Sequence, residues 1–198
     1  MVKRLLIGWS NYGSSIFFGN PRLPDVKDWK SHPMYVKLFE NLSKAEVKFL
    51  ILGGAAVSLH GFSRMTTDID ILLQNTPENV ARFLAAANQW GAGFSSSLTC
   101  DDFQGPGCVR IEEDFPLDVF TLLNGKPYEY FISDAANYEV ADGLRVQCLS
   151  VAALIELKKG TLREKDQLDV TVLKRLQVNP ESGQAPTINL APPPAEPE

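Results

Sequence analysis

The stretch from Val47 to Gln74 constrains the fold of this chain more than any other segment. Its sequence is VKFLILGGAAVSLHGFSRMTTDIDILLQ. A short apolar run ends in the glycine pair Gly53-Gly54, and a second apolar run begins with Asp68-Ile69-Asp70. Short apolar runs bounded by glycine or polar residues are typical of strands buried inside a sheet. The segment therefore predicts a buried strand, a compact helix and a second buried strand.

The second strand of this segment carries two acids on one face. Asp68 and Asp70 are separated by one residue, so their carboxylates lie about 6–7 Å apart, which is costly without a cation nearby. Asp118 interrupts a later apolar run, FPLDVFTLL. If the two strands are neighbours, three carboxylates converge, and oxygen ligands without His or Cys select Mg²⁺ or Mn²⁺. We predict a metal site there; the alternatives are a turn-and-cap role for Asp68-Ile69-Asp70 and a solvent-facing edge-strand position for Asp118.

The glycine pair is a candidate phosphate-binding turn. Gly53 and Gly54 let the main chain approach a ligand closely, and the free N–H of Ala55 at the helix start attracts phosphate. A tight strand–helix turn with nothing bound is the alternative. In the polar loop before the acids, Arg64 is predicted to bind a phosphate, to pair with an acid or to face solvent. Thr67 is predicted to cap the strand or to reach the phosphates.

Composition restricts the class of protein. The chain has 198 residues, 44% hydrophobic and 22% charged, which suits one domain with a proper core. A formal charge of -5 argues against a broad nucleic-acid-coating surface. Cys100, Cys108 and Cys148 have no paired spacing, which predicts free thiols in a reducing cytoplasm rather than a zinc site. No apolar run approaches the length of a membrane span, so we expect no membrane anchor.

The pattern along the chain predicts one domain between two irregular ends. We expect an irregular extension over 1–31, the domain over 32–178, and a Pro-rich tail over 179–198 that cannot bury enough apolar surface to order itself. Periodicity and capping residues predict helices that begin at 33 and that span 55–62, 77–90, 128–135, 150–159 and 163–177. Strands are predicted over 47–52, 68–73, 108–112, 116–122, 138–140 and 144–148, the last two joined by a turn at Asp142-Gly143. The interval 91–107 is predicted to be a long loop or a poorly marked strand.

Two local motifs resemble a known family. FLILGGAAVSLHGFSRMTTDIDILL resembles the nucleotidyltransferase superfamily that includes DNA polymerase beta. Lys158, Arg163, Asp166 and Asp169, in LKKGTLREKDQLDV, resemble the C-terminal K…R-x-K-D-x-x-D helix pair of its small bacterial branch, the abortive-infection toxins of the AbiEii type. The resemblance covers about residues 47–176.

The resemblance implies both a fold and a set of roles. The fold is α+β, with a mixed central sheet, helices packed on it and a C-terminal helix pair. The activity is transfer of a nucleoside monophosphate from an NTP to an acceptor. Asp68 and Asp70 would hold Mg²⁺ or Mn²⁺, and Asp118 would help to activate the acceptor hydroxyl. Lys158 would contact the nucleotide, and Asp166 would complete the pocket or brace the helices.

Three functions are compatible with these motifs. The favoured one is a metal-dependent nucleotidyltransferase whose acceptor is a tRNA end, a protein side chain or a small molecule. The second is a non-catalytic module that binds a nucleotide or a partner such as a cognate antitoxin. The third is a metal-dependent phosphohydrolase.

Gly54-Ala55 replaces the Gly-Ser of many family members, which removes one hydroxyl contact to phosphate.

Overall fold

A six-stranded mixed sheet forms the centre of the protein. The computed structural model describes residues 33–62, 66 and 68–178. The strands are β1 (Phe49–Leu52), β2 (Ile69–Leu73), β3 (Cys108–Glu112), β4 (Pro116–Phe120), β5 (Ala136–Ala141) and β6 (Leu144–Cys148). Their order is β3-β4-β2-β1-β6-β5. The pairs β1–β6 and β2–β4 are parallel, whereas β1–β2, β3–β4 and β5–β6 are antiparallel. The predicted α+β class with a mixed sheet is therefore confirmed.

Six α-helices accompany the sheet within the described residues. They are α1 (Pro33–Lys44), α2 (Gly53–Leu59), α3 (Pro77–Ala87), α4 (Tyr128–Phe131), α5 (Val151–Lys158) and α6 (Glu164–Val178). Side-chain caps begin two of them, because the Thr76 hydroxyl accepts from the Asn79 N–H and the Ser150 hydroxyl accepts from the Ala153 N–H. Helix α2 packs on β1 and β2, and α5 packs on α6. The C-terminal helix pair that the resemblance implied is present.

The segment around the glycine pair is deeply buried. All four residues of β1 are buried, and so are six of the residues of α2. Helix α2 begins at Gly53 rather than at Ala55, where the pattern placed it, because Gly53 itself makes the turn with a φ of +63°. The interval predicted as a loop or strand contains two 3₁₀ turns, Phe94–Ser97 and Cys100–Phe103.

Several sequence predictions lie outside the described residues. They concern the N-terminal extension over 1–31, the tail over 179–198, Arg64 and Thr67. Cys100, Cys108 and Cys148 are free cysteines. In the described part of the chain, no helix has the length and apolar character needed to cross a membrane.

Candidate functional site

The predicted acids line one cleft at the end of the central strands. The cleft has a volume of about 540 Å³, and its walls come from the β1–α2 turn, the strands β2, β3 and β4, and the α5–α6 pair. Asp68, Asp70 and Asp118 lie on the sheet side. Lys158 and Asp166 lie on the helix side. Residues from distant parts of the sequence therefore meet in one concave site.

Strand register brings the acids together. β2 and β4 are adjacent and parallel, and Asp70 on β2 is paired directly with Asp118 on β4. The condition for convergence of the acids, that these two strands be neighbours, is thus met. β3 covers the other edge of β4, so Asp118 is not on an edge strand, and its side chain is only 16% exposed.

The glycine turn and Asp70 are in direct contact. A Cβ on Gly53 would lie 2.7 Å from Cγ of Asp70 and would overlap its carboxylate oxygen Oδ2. Gly53 and Gly54 line the cleft, whereas Ala55 is completely buried in α2 and does not. The absence of a side chain at position 53 therefore leaves the space that the Asp70 carboxylate occupies.

Gly53→Ala is expected to destabilise the protein by about 1–3 kcal/mol and to displace Asp70, because the positive φ and the overlap act together. Gly143→Ala is a matched control, since Gly143 has a φ of +72° but nothing lies within 4 Å of the added methyl group. Chemical denaturation of both variants measures the difference. Equal losses of stability would mean that the contact with Asp70 has no effect.

Asp118 is already held by neighbouring side chains. Nη1 of Arg110 donates to Oδ2 of Asp118 at 3.0 Å and to Oδ1 at 3.2 Å. Nε of Arg110 donates to Oε1 of Glu112 at 3.1 Å. Both oxygens of this carboxylate therefore have partners within the chain.

Burial and like charges shape the electrostatics of the cleft. Burial has the largest effect on the pKa of Asp118 and raises it, and the charge of Asp68 raises this pKa further. The charge and hydrogen bond of Arg110 lower the pKa of Asp118, but it still lies above its ordinary value. Burial, together with the charges of Asp118 and Asp70, raises the pKa of the Cys108 thiol to about 12. Cys108 is therefore a neutral thiol at physiological pH, and the cleft favours cations.

The acids fit a divalent cation that arrives with a phosphate ligand. Among residues 33–62, 66 and 68–178, no three His, Cys, Asp or Glu side chains are arranged to hold a metal ion by themselves. Mg²⁺ usually binds one or two carboxylates together with substrate phosphates and water. Asp70 on β2, beside the side-chain-free turn at Gly53, and Asp68, in the bend just before β2, have the hard oxygen donors that such an ion requires.

The helix side of the cleft contains a buried ion-pair cluster. Nζ of Lys158 lies 2.7 Å from Oδ1 of Asp166 and 2.8 Å from Oδ2 of Asp169, and its side chain is 12% exposed. The hydroxyl of Thr161 donates to Oδ2 of Asp166 at 3.1 Å. These contacts join α5 to α6. They correspond to the bracing role that the resemblance allowed for Asp166, and nucleotide contact by Lys158 stays a prediction.

Among the cleft-lining residues that were not predicted as site residues are three cations and one thiol. Arg110 and Cys108 lie on β3, and Arg163 and Lys165 lie at the start of α6. Alternation along CVRIE places Cys108, Arg110 and Glu112 on one face, but the pairing of β3 with β4 was needed to direct that face toward Asp118. Arg163 and Lys165 are exposed and form no salt bridge with the rest of the described chain.

His60 has a structural position outside the cleft. Its Nε2 lies 2.8 Å from the carbonyl oxygen of Leu149, and its Nδ1 lies 2.8 Å from the hydroxyl of Tyr138. A carbonyl can only accept, so Nε2 carries the proton and Nδ1 accepts from Tyr138. These bonds fasten the end of α2 to β5 and to the residue after β6, so His60 has a structural role.

The mixed six-stranded sheet, the helices packed on it and the C-terminal helix pair form an α+β fold that is similar to that of a solved adenylyltransferase. A solved structure with a similar fold is the lincosamide antibiotic adenylyltransferase LnuA in its lincomycin-bound form. The TM-score is 0.52 at 17% sequence identity, and the match covers 71% of this chain and 94% of that chain. No protein-family model and no curated protein matches the chain. At this identity, the likeness establishes the fold alone.

Proposed function

We propose that this protein is a metal-dependent nucleotidyltransferase that transfers a nucleoside monophosphate from an NTP to an acceptor. One observation carries the proposal: Asp68, Asp70 and Asp118 face the same cleft as the Gly53-Gly54 turn. Carboxylates beside a side-chain-free turn suit a metal–triphosphate complex. The fold shared with an adenylyltransferase supports the same conclusion.

The proposed reaction is substitution at the α-phosphorus. The acceptor oxygen forms a bond to the α-phosphorus, the bond to the bridging oxygen breaks, and pyrophosphate leaves. Asp118 would accept the acceptor proton, a role favoured by its raised pKa. Asp68 and Asp70 would hold Mg²⁺ or Mn²⁺. When bound there, such an ion supplies positive charge to the phosphate oxygens.

Two parts of the cleft suit the triphosphate. Gly53 and Gly54 allow close approach of the phosphates to the main chain. Arg163 and Lys165 add positive charge at the opposite rim without competing salt bridges in the described residues. The ammonium of Lys158 already has two carboxylate partners. We therefore propose that the main role of Lys158 is to hold α5 rigidly against α6 on the helix side of the cleft.

We further propose a small molecule as the acceptor. LnuA, whose fold is similar, is an antibiotic adenylyltransferase with lincomycin bound. A tRNA end and a protein side chain are the competing acceptors, and a net charge of -5 gives tRNA no particular support. Membership of the AbiEii-like branch, with a cognate antitoxin as partner, remains the prediction of the C-terminal motif. A cytoplasmic location is proposed from the three free cysteines.

The second candidate function is a non-catalytic module with the same fold. The observation in its favour is that two predicted ligand-binding groups are satisfied within the chain. Asp118 is held by Arg110, and Lys158 is held by Asp166 and Asp169. A module of this kind would bind a nucleotide or partner protein without transfer.

Incubation with each α-labelled NTP, Mg²⁺ and single acceptors separates these functions. The acceptors are lincomycin, an aminoglycoside and tRNA, with one sample lacking any acceptor. We expect label on a small molecule and release of pyrophosphate. We also expect Mg²⁺–NTP to raise the melting midpoint, since ligand at 100 times its Kd adds about 2.7 kcal/mol of stability. A midpoint shift without transfer would favour the module, and phosphate release without an acceptor would favour a phosphohydrolase.

A further inference from the structure

Arg110 is bonded to Asp118, the acid that accepts the acceptor proton in the proposed reaction. Its Nη1 contacts both oxygens of Asp118 at 3.0 and 3.2 Å, and its side chain is 33% exposed. Arg110 lies opposite Asp118 in the β3–β4 register, so the contact follows from strand pairing. A guanidinium ion in this position offsets the charge of one of the three cleft acids.

A second anion holds Arg110 from the solvent side. Glu112 is two residues along β3, on the same face, and accepts from Nε of Arg110 at 3.1 Å. The Glu112 side chain is 60% exposed, whereas that of Asp118 is 16% exposed. Arg110 can therefore leave Asp118 while it keeps an anionic partner nearer the solvent.

We propose that Arg110 is a positioning residue that occupies Asp118 in the nucleotide-free protein and yields this carboxylate when a divalent cation binds, with Glu112 as its retained partner. The inference rests on the proposed function, because it assumes that the cation binds at Asp68 and Asp70. Like charges repel, so a guanidinium ion on Asp118 weakens binding of a cation beside it. Arg110 therefore keeps the affinity for free metal ions low. The phosphate ligands of the nucleotide are needed to displace Arg110 from Asp118.

Titration of the nucleotide-free full-length protein with Mn²⁺, with free Mn²⁺ measured by electron paramagnetic resonance, tests this inference. Arg110→Met is expected to bind Mn²⁺ about tenfold more tightly than the wild type. Glu112→Gln is expected to bind Mn²⁺ more weakly than the wild type. Glu112 no longer carries a charge in this variant, so of these two carboxylates Arg110 has Asp118 alone as an anionic partner and stays on it. A gain of Mn²⁺ affinity in Arg110→Met together with a loss in Glu112→Gln cannot come from a general loss of structure.

Arg145→Met is the matched control for loss of a positive charge. Arg145 lies on β6, its side chain is 77% exposed, and it does not line the cleft. We expect its Mn²⁺ affinity to stay within about twofold of the wild type, because solvent and salt screen exposed charges. An equal gain in Arg145→Met and Arg110→Met would overturn the inference.

Other outcomes separate this inference from the proposed function. Arg110→Lys keeps a charge but loses the planar fork, so its Mn²⁺ affinity should lie between those of the wild type and Arg110→Met. Unchanged or weaker binding by both Arg110 variants, with melting curves that show folded protein, would overturn the positioning role. Mn²⁺ binding that does not depend on Asp70 would instead contradict the proposed function.

Discussion

Asp70→Asn is expected to abolish nucleotidyl transfer, with kcat lowered by about 10³-fold or more. Asp70 is paired with Asp118 across β2 and β4 and lies against Gly53, at the centre of the acidic wall. An amide has the same shape but no charge, so it fits the space beside Gly53 and binds a divalent cation poorly. A metal ion contributes several kcal/mol to such reactions, and about 4 kcal/mol corresponds to a 10³-fold change in rate.

The measurement is single-turnover transfer of label from the NTP that the wild type uses, together with a melting curve. We expect the melting midpoint of nucleotide-free Asp70→Asn to stay close to that of the wild type, and the rise caused by Mg²⁺–NTP to disappear. Asp142→Asn is the matched control, because Asp142 is exposed in the β5–β6 turn and Asn-Gly forms that turn as well as Asp-Gly. Undiminished transfer by Asp70→Asn would exclude Asp70 from the reaction.

Lys158→Met is expected to lower the free energy of unfolding by about 3–5 kcal/mol, because it leaves two buried carboxylates without their cation. Asp166 and Asp169 lie 2.7 and 2.8 Å from the Lys158 ammonium, and their side chains are only 11% and 2% exposed. Urea denaturation measures the loss. Lys159→Met is the matched control, since Lys159 is exposed at the next position and its replacement should change stability by no more than about 0.5 kcal/mol.

The effect of Lys158→Met should depend on pH. In the wild type, burial raises the pKa of Asp166, but the hydrogen bond and charge of Lys158, with Thr161 and Arg163, hold it below its ordinary value of 3.8. Asp166 therefore stabilises the wild type above pH 3.8 and loses this effect as the pH falls through its lower folded pKa. Without Lys158, the strongest causes that lower the pKa of Asp166 are lost while burial, which raises it, remains, so acid relieves the destabilisation. The stability difference should be largest at neutral pH and should shrink toward pH 4; a constant difference would contradict the ion-pair explanation.

Local signals in the sequence were sufficient for most elements of the fold. Thr76-Pro77 marks the start of α3, Ser150 marks the start of α5, and Asp142-Gly143 forms the β5–β6 turn. These signals act over a few residues, because a cap or turn satisfies nearby main-chain groups. Their positions could therefore be predicted without knowledge of the tertiary structure. The exact start of α2 could not, because a glycine accepts φ of either sign and the positive φ of Gly53 is seen only in the structure.

The candidate site was predictable only in part. Alternation along a strand placed Asp68 and Asp70 on one face, and an acid in an apolar run marked Asp118 as exceptional. The partners of the charged groups were not predictable in this way. Arg110 meets Asp118 through β3–β4 pairing, and Lys158 meets Asp169 through the packing of α5 on α6. Both contacts depend on register between elements that no local pattern specifies.

The amino-acid sequence by itself determined most of the elements and marked the acids that could bind a metal ion, because propensity, capping and strand alternation are short-range properties. The α+β class was implied by the resemblance. Only the tertiary structure decided which charges meet. The parallel pairing of β2 with β4 brought Asp118 beside Asp70, and β3 then placed Arg110 on it. The physical reason is that side chains in a buried cleft select partners by distance in space, and a carboxylate buried there must be matched by a cation from another element.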